Sequence, residues 1–266
     1  AIANDKAINS IYLAKNRPKS NPIIAHLKNE KDAKKFVKFT NLAKKLSNRF
    51  WPGPLTMVLE INERYKFAKT LSQGRKTLAI RVPSHPVALD LLDKLNSPIL
   101  APSANKSGHV SPTNATHVRD DFGKNLKNKD WEIAAILDYG TAEIGLESTV
   151  IDCRGKKPLI LREGSITREM LESVLKSKVM YPKKNRLLLS PGMLSKHYSP
   201  KTKLLINQKT YIEGSGCLFF GKVPKEFLEV KNQFNLSSSG NLFQAAELLY
   251  EGMRHLDKLN LKFIQV

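Results

Sequence analysis

Residues 97–117 read SPILAPSANKSGHVSPTNATH and separate an apolar strand from a helix. Ile99, Leu100 and Ala101 have the character of a short buried strand, and the residues after them are mostly small, hydroxyl or amide side chains. The next helix is predicted to begin near Pro112–Asn114, where free backbone N–H groups can bind an anion. Such a loop is a common ligand site in α/β proteins, and an ordinary surface loop has the same composition.

Helix-like and strand-like segments alternate along the first 182 residues without an internal repeat, which predicts an α/β fold with a mixed sheet. Predicted helices cover residues 3–15, 31–49, 85–95 and 167–175, the last with Thr167 as its N-cap. Predicted strands cover residues 22–27, 55–61, 77–82, 99–101, 134–137, 148–153 and 158–161.

A basic run and a Pro- and Gly-containing segment interrupt this pattern and predict three parts: a first domain over 1–182, a linker over 183–202 and a small second α/β domain over 203–266. The second domain is predicted to hold strands at 203–206, 217–220 and 261–266 and a helix at 241–256.

The composition limits the class of protein. No window of the sequence is apolar enough for a membrane span, and the two cysteines lie far apart without a CxxC partner, which favours a reducing cytoplasm. The formal net charge is +20, from 44 basic and 24 acidic residues. Such a charge attracts nucleotides, tRNA or other phosphate-rich surfaces, but 33 of the basic residues are Lys, and codon bias explains the number equally well.

Several basic residues occupy positions where a positive charge adds little to the stability of the fold. Lys15 and Arg17 end a predicted helix beside Pro18, which suits either the helix dipole or a polyphosphate. Arg81 lies in an apolar strand, where it serves an internal ion pair or binds a carboxylate, and Arg162 ends another strand. The sequence has no metal-ligand spacing, hydrolytic triad or Walker loop. We therefore expect the protein to position substrates that attack each other.

Taken in order, the motifs resemble those of the YrdC-type threonylcarbamoyl-AMP synthases. They are Lys-x-Arg-Pro…Asn-Pro-Ile-Ile…His from Lys15, Pro-Gly-Pro-Leu-Thr from Pro52, Arg-Val-Pro from Arg81, Ala-Pro-Ser-Ala-Asn from Ala101, Glu-Ser-Thr-Val-Ile-Asp from Glu147 and Leu-Arg-Glu-Gly from Leu161. The segment Ser190–Pro200 resembles the linker of the family's longer, two-domain branch. The resemblance implies a YrdC-like twisted open mixed sheet with flanking helices, followed by a small, incomplete Rossmann-like domain.

The family makes threonylcarbamoyl-AMP and pyrophosphate from L-threonine, bicarbonate and ATP, so the resemblance implies a cytoplasmic nucleotidyltransferase. Magnesium would accompany ATP, without a metal ion held by protein side chains and without a tightly bound cofactor. A separate transferase would pass the threonylcarbamoyl group to tRNA, which implies at most a weak tRNA contact and no membrane partner.

The resemblance also implies the site residues. The catalytic signature would be Lys15, Arg17, Ser103 and Asn105. The ATP-binding residues would be Arg17, Asn21, Thr77, Asn105, Thr113, Arg162 and Tyr198. The threonine-binding residues would be His26, Arg81, Ser103 and Ser148, with Arg81 facing the carboxylate.

The sequence departs from the family's usual pattern at both ends. The family opens with a strand and a Thr-Glu-Thr-Val-Tyr-Gly-Leu-Gly segment, and it closes with a Gly-rich turn and a final helix. We therefore expect the first strand of the sheet, one threonine-binding Thr and the last helix to be missing from these 266 residues.

Two other functions are compatible with parts of this pattern. A non-catalytic RNA-binding or ribosome-associated factor would use the basic surface alone. The carbamoyl-transfer proteins of hydrogenase maturation use the same fold, but in a longer chain with zinc-finger cysteines that this sequence lacks. The ligand-facing Tyr198 implied for the linker favours the synthase over an RNA-binding module, which would not need it.

Overall fold

A computed structural model describes residues 4–72, 74–123, 126–182 and 199–266. The chain divides into two compact units, each of which combines separate stretches of sequence. The first contains Ala1–Ala104, Leu126–Ala134 and Glu147–Ser195, and the second contains Asn105–Asn125, Ala135–Leu146 and Lys196–Val266. The domain limits at 182 and 203 stay a prediction.

In the described part of the first unit, six strands form one mixed sheet in the order β4-β1-β3-β2-β5-β6. The strands are β1 (Ala25–His26), β2 (Leu55–Glu60), β3 (Thr77–Arg81), β4 (Ile99–Leu100), β5 (Thr149–Asp152) and β6 (Leu159–Arg162). β1 is parallel to β3 and β2 is parallel to β5, whereas the other neighbours are antiparallel. The predicted mixed α/β sheet is confirmed.

Four helices of the first unit begin after an Asn or Thr residue whose side chain caps them. The helices described in this unit are α1 (Asp5–Lys15), α2 (Glu30–Phe36), α3 (Asn41–Phe50), α4 (Lys69–Ser72), α5 (Pro86–Leu95) and α7 (Arg168–Leu175), and α6 (Ala115–Phe122) belongs to the second unit. Thr167 caps α7 as predicted, because its hydroxyl accepts a hydrogen bond from the N–H of Met170.

The single helix predicted over residues 31–49 is wrong, since the chain breaks between α2 and α3. Val37 is extended and pairs with Ile61 as an isolated β-bridge. Thr40 then starts α3: its hydroxyl accepts from the N–H of Ala43 and donates to the carbonyl of Cys153. Tertiary pairing and a new cap therefore override the continuous helical spacing.

The strand predicted at residues 134–137 is also wrong, because this segment has no regular structure. Leu137 is 63% exposed. An apolar run forms a strand only where a neighbouring strand supplies hydrogen bonds, and none pairs with this one in the described residues.

The two faces of the first sheet pack into hydrophobic clusters of different size. The larger cluster includes Leu55, Met57, Leu59 and Ile80 together with residues of α1, α3 and α7. The smaller cluster consists of Ile24, Val58, Ala79, Val150 and Leu161, with Leu159 against it. Because side chains alternate along a strand, His26, Thr56 and Arg81 share the face of this smaller cluster. The sheet therefore places polar groups around a small apolar patch.

The described part of the second unit holds a four-stranded parallel sheet in the order β7-β10-β8-β9. Its strands are β7 (Leu204–Leu205), β8 (Gly216–Phe219), β9 (Gln233–Asn235) and β10 (Ile264–Gln265), and its long helix is α8 (Leu242–Asp257). β9 was not predicted, because its Gln-Phe-Asn composition is only weakly strand-like. A parallel sheet packed against a helix confirms the small Rossmann-like domain.

Within the described residues, no helix has both the length and the apolarity that crossing a bilayer requires.

Gly164 permits the close approach of two backbone segments that later carry the site. A Cβ at this position would lie 2.3 Å from the carbonyl oxygen of Glu147 and 2.5 Å from the nitrogen of Thr149. We predict that Gly164→Ala lowers the free energy of unfolding by about 1–3 kcal/mol, because the backbone must shift to relieve the clash.

Gly155→Ala is the matched control, since a Cβ there would meet nothing closer than 3.9 Å. Its effect should stay within about 0.5 kcal/mol. Urea unfolding of both variants tests this prediction, and equal stability of the two would contradict it.

Candidate active site

The Lys-x-Arg motif lies at the C-terminal end of α1, with Lys15 as the last residue of the helix. Asn16 adopts a left-handed conformation with φ of 50° and ends the helix, which turns the chain between the two cations. Lys15 is only 4% exposed, and its Nζ donates to the carbonyl oxygen of Ser103 at 2.5 Å. Arg17 is equally buried, and its Nε and Nη2 donate to the carbonyls of Asn21 and Pro22 at 3.1 and 2.7 Å. Both positive charges are therefore held in place by backbone oxygens.

Asn21 lies beside Arg17 and is 1% exposed. Its carbonyl also accepts a hydrogen bond from the Tyr12 hydroxyl at 3.2 Å. Its side-chain Nδ2 is buried and has no acceptor among the described residues. A buried donor without an acceptor is costly, so this position suits a ligand that carries oxygen acceptors.

Ser148 is fixed by hydrogen bonds from both sides. Its hydroxyl lies 2.8 Å from Thr56 Oγ1 and accepts from Arg162 Nη2 at 2.9 Å. Its carbonyl accepts from Arg162 Nε and Nη2 at 3.0 and 2.8 Å. Ser148 is therefore held rigidly, in keeping with a binding role for its hydroxyl.

Glu147 supplies the negative charge of this region. Its Oε2 lies 3.5 Å from Arg162 Nη1. Glu147 also acts on Arg81. Burial and the charge of Arg162 lower the pKa of the Arg81 guanidinium, and the negative charge of Glu147 opposes this shift. Two guanidinium groups therefore share this carboxylate, and the local surplus of positive charge suits a substrate carboxylate.

Arg81 is oriented by the turn before β2, because its Nε donates to the carbonyl oxygen of Gly53 at 2.9 Å. This Pro-Gly-Pro turn is one of the family motifs in the sequence but had no predicted role in the site. The contact uses one edge of the guanidinium and leaves its fork available for a bidentate ligand.

His26 pairs in register with Arg81 across the two parallel strands β1 and β3. Burial, with the charge of Arg81 acting in the same direction, lowers the pKa of His26 to about 4. Its imidazole is therefore neutral at physiological pH. The ring Nδ1 is buried without a hydrogen-bond partner among the described residues, so it also suits a polar ligand.

The remaining residues of the sequence prediction are Thr77 in the first unit, Asn105 and Thr113 in the second unit, and Tyr198. Thr77 begins β3, and strand geometry puts its Cα about 13 Å from that of Arg81 at the other end. In the second unit, Asn105 Nδ2 donates to the carbonyl of His109 at 2.9 Å, and Thr113 Oγ1 donates to Glu251 at 2.8 Å. Tyr198 lies outside the described residues.

The described residues offer no alternative chemistry based on a thiol or a protein-bound metal. Cys153 and Cys217 are both buried, and burial raises the pKa of each thiol. Among the residues that the structure describes, no group of three or more His, Cys, Asp or Glu side chains could hold a metal ion. The arrangement therefore favours binding and charge neutralisation over covalent catalysis by a thiol.

Sequence reasoning missed several residues that shape the site. Glu147 stood inside a quoted motif without a role, although an acid next to Ser148 was a usable signal. Thr56, Tyr12 and Glu251 gave none, since a hydroxyl in a strand or an acid on a helix has no distinguishing pattern.

Comparisons with known proteins agree with the sequence and the fold. Residues 1–164 match the model of the Sua5, YciO and YrdC family, described as "Telomere recombination". Residues 166–266 match the model described as "Threonylcarbamoyl-AMP synthase, C-terminal domain".

Curated relatives extend the match to nearly the whole chain. The threonylcarbamoyl-AMP synthase of Pyrococcus abyssi is 33% identical, over 98% of this chain and 78% of its own length. That of Bacillus subtilis is 40% identical, over 76% of this chain and 58% of its own length.

A crystal structure of Pyrococcus abyssi Sua5 in complex with L-threonine has the same fold. Its TM-score is 0.84, with 31% identity over 98% of this chain and 79% of that one. The chain belongs to the threonylcarbamoyl-AMP synthase family, in the two-domain Sua5 branch.

Proposed function

We propose that this protein forms threonylcarbamoyl-AMP and pyrophosphate from L-threonine, bicarbonate and ATP, and so acts as a nucleotidyltransferase. The observation that carries the proposal is a connected group of polar residues: Arg162 binds Ser148 and pairs with Glu147, Glu147 also acts on Arg81, and Arg81 pairs in register with His26. The fold that holds this group matches that of a threonine-bound Sua5.

Threonine is proposed to bind on the polar face of the first sheet. The guanidinium of Arg81 would pair with the substrate carboxylate, and the neutral His26 and the fixed hydroxyl of Ser148 would bind its other polar groups. The remaining residue assigned to threonine, Ser103, receives support from its contact with Lys15, which anchors the loop that carries it.

ATP is proposed to bind where buried cations and amide donors accumulate. Lys15 and Arg17 would neutralise phosphate charge, and the Nδ2 of Asn21 would donate to an oxygen acceptor. The other residues assigned to ATP are Thr77, Asn105, Thr113, Arg162 and Tyr198. ATP is a substrate in this proposal; it would bring magnesium with it, and the reaction needs no tightly bound cofactor.

The chemistry then requires positioning more than a nucleophile from the protein. Threonine and bicarbonate combine at the amino group with loss of water, and an oxygen of the resulting carbamate attacks the α-phosphorus of ATP. The bond to the bridging oxygen of the β-phosphate breaks, and pyrophosphate leaves with the negative charge. Lys15, Arg17, Ser103 and Asn105 would stabilise that charge and hold the reactants in line.

The partners follow from the product. Threonylcarbamoyl-AMP is an activated acyl group, so a transferase that modifies tRNA would consume it in the cytoplasm. The net charge of +20 supports a weak contact with tRNA.

Pyrophosphate release tests the proposal directly. The purified protein should release pyrophosphate only when ATP, threonine and bicarbonate are all present, and threonylcarbamoyl-AMP should appear in equal amount by mass spectrometry. Release that is independent of threonine or of bicarbonate would rule the proposal out.

We predict that Arg81→Ala weakens threonine binding by at least 10-fold and leaves ATP affinity nearly unchanged. The reason is the loss of a charge-assisted bidentate bond, worth about 1.5–3 kcal/mol. Calorimetry with each ligand measures both effects. The control is Arg64→Ala, which changes an exposed arginine of the same unit, and equal losses for both ligands in Arg81→Ala would contradict the assignment.

We predict that Lys15→Ala reduces the turnover number at saturating ATP by about 10²-fold, because a positive charge near the phosphates stabilises the leaving group. Steady-state pyrophosphate assays separate kcat from KM. Lys6→Ala, on the exposed side of the same helix, is the control. A raised KM with unchanged kcat would make Lys15 a binding residue only.

A further inference from the structure

Helix α8 reaches the polar loop before α6 through two charged side chains, and the first of them is Arg254. Its Nε donates to the carbonyl of Ser111 at 3.1 Å, and its Nη2 donates to that of Val110 at 2.5 Å. Its Nη1 and Nη2 also bind the two carboxylate oxygens of Asp121 on α6 at 3.1 and 2.7 Å. A buried guanidinium bound on three sides leaves the loop little freedom relative to α8.

The second charged side chain is Glu251, one turn earlier on α8. Its Oε2 accepts a hydrogen bond from Thr113 Oγ1 at 2.8 Å and a weaker one from Asn114 Nδ2 at 3.4 Å. The same oxygen lies 3.5 Å from His117 Nε2. Thr113 is therefore the nearest of three groups that surround one carboxylate oxygen.

The tautomer of His117 follows from its other contact. The backbone N–H of Thr113 points at His117 Nδ1 at 3.2 Å, so Nδ1 carries the lone pair and Nε2 carries the proton that faces Glu251. Burial lowers the pKa of His117; Arg254 and Lys258 add to the shift, and Glu251 and Asp120 oppose it. The ring is therefore neutral at physiological pH, as this pattern requires.

The hydroxyl proton of Thr113 has two acceptors within reach, Glu251 Oε2 at 2.8 Å and His117 Nδ1 at 3.2 Å. It points to Glu251, because the carboxylate is closer and charged and Nδ1 already accepts from the backbone. A hydroxyl has one donor and two acceptor sites. Toward any ligand, Thr113 can therefore offer lone pairs only.

Triphosphate oxygens are acceptors as well, so they cannot bond to a hydroxyl in this state. We propose that Glu251 is a positioning residue that fixes the Thr113 hydroxyl as an acceptor, so that Thr113 binds a donor of the nucleoside, a ribose hydroxyl or the adenine amino group. This inference rests on the proposed function, in which Thr113 binds ATP.

Nucleotide analogues test which group Thr113 binds. Dissociation constants are measured by calorimetry for ATP, 2′-deoxy-ATP, 3′-deoxy-ATP and the triphosphate of purine riboside, which lacks the amino group. Thr113→Val should weaken ATP binding by about 3–10-fold, and this penalty should vanish for one of the three analogues. A penalty that persists with all three, or no penalty with ATP, would overturn the inference.

Substitutions of Glu251 test the positioning role. Glu251→Ala should weaken ATP binding by about 3–10-fold without changing threonine affinity, and Glu251→Gln, which keeps an acceptor oxygen, should restore most of it. Glu247→Ala, one turn earlier on the exposed side of α8, is the matched control. In a Thr113→Val background, Glu251→Ala should have no further effect on ATP affinity.

A merely structural role would give a different result. Glu251→Ala would then lower the free energy of unfolding and leave the ATP dissociation constant equal to that of Glu247→Ala, which would overturn the inference. Binding assays need no turnover, so failure of the proposed function would show separately, as pyrophosphate release that does not depend on threonine and bicarbonate.

Discussion

The ion pair between Glu147 and Arg162 is the constraint on which the candidate site depends. Arg162 is buried and binds Ser148 through its Nε and Nη2. Its positive charge is paired with Glu147, whose Oε2 lies 3.5 Å from Arg162 Nη1. This contact requires the chain before β5 to lie against the chain after β6, which the absence of a side chain at Gly164 allows. Breaking a buried ion pair leaves an uncompensated charge, which is costly. The Glu147–Arg162 pair, the position of the Ser148 hydroxyl and the close backbone approach at Gly164 therefore depend on one another. The same carboxylate also acts on Arg81, so one negative charge serves two guanidinium groups. The excess positive charge favours an anionic substrate.

Local signals in the sequence predicted most of the elements, because each depends on neighbours along the chain. Thr167 caps its helix through a residue three positions away, and β2 and β3 have the alternation and β-branching typical of strands. The prediction failed where distant pairing decides, as at Val37, which leaves the helical pattern to pair with Ile61. It failed at residues 134–137 for the opposite reason, since apolar residues without a partner strand stay irregular.

The site divides in the same way. The cations Lys15, Arg17, Arg81 and Arg162 could be singled out from sequence, because a charge at a strand end or beside prolines is unusual. Their orienting partners could not, since these are backbone carbonyls or acids such as Glu147 that gain meaning only through distance. Helix α8 is the clearest case. Its apolar spacing identified a core face, yet Leu242 is 73% exposed, while Arg254 and Glu251 on another side contact a loop more than 130 residues earlier.

The basic composition and the buried cations are separate properties of this protein. Most of the 33 lysines are exposed, where salt screens their effect on a ligand, whereas Lys15, Arg17 and Arg162 are each less than 10% exposed and bound to carbonyl oxygens. A general attraction for RNA would arise from the exposed group, and synthesis of an activated adenylate requires the buried one. Only the buried group is held rigidly enough to stabilise a charge that develops during a reaction. The fixed cations, and not the net charge, are therefore the physical argument for an enzyme.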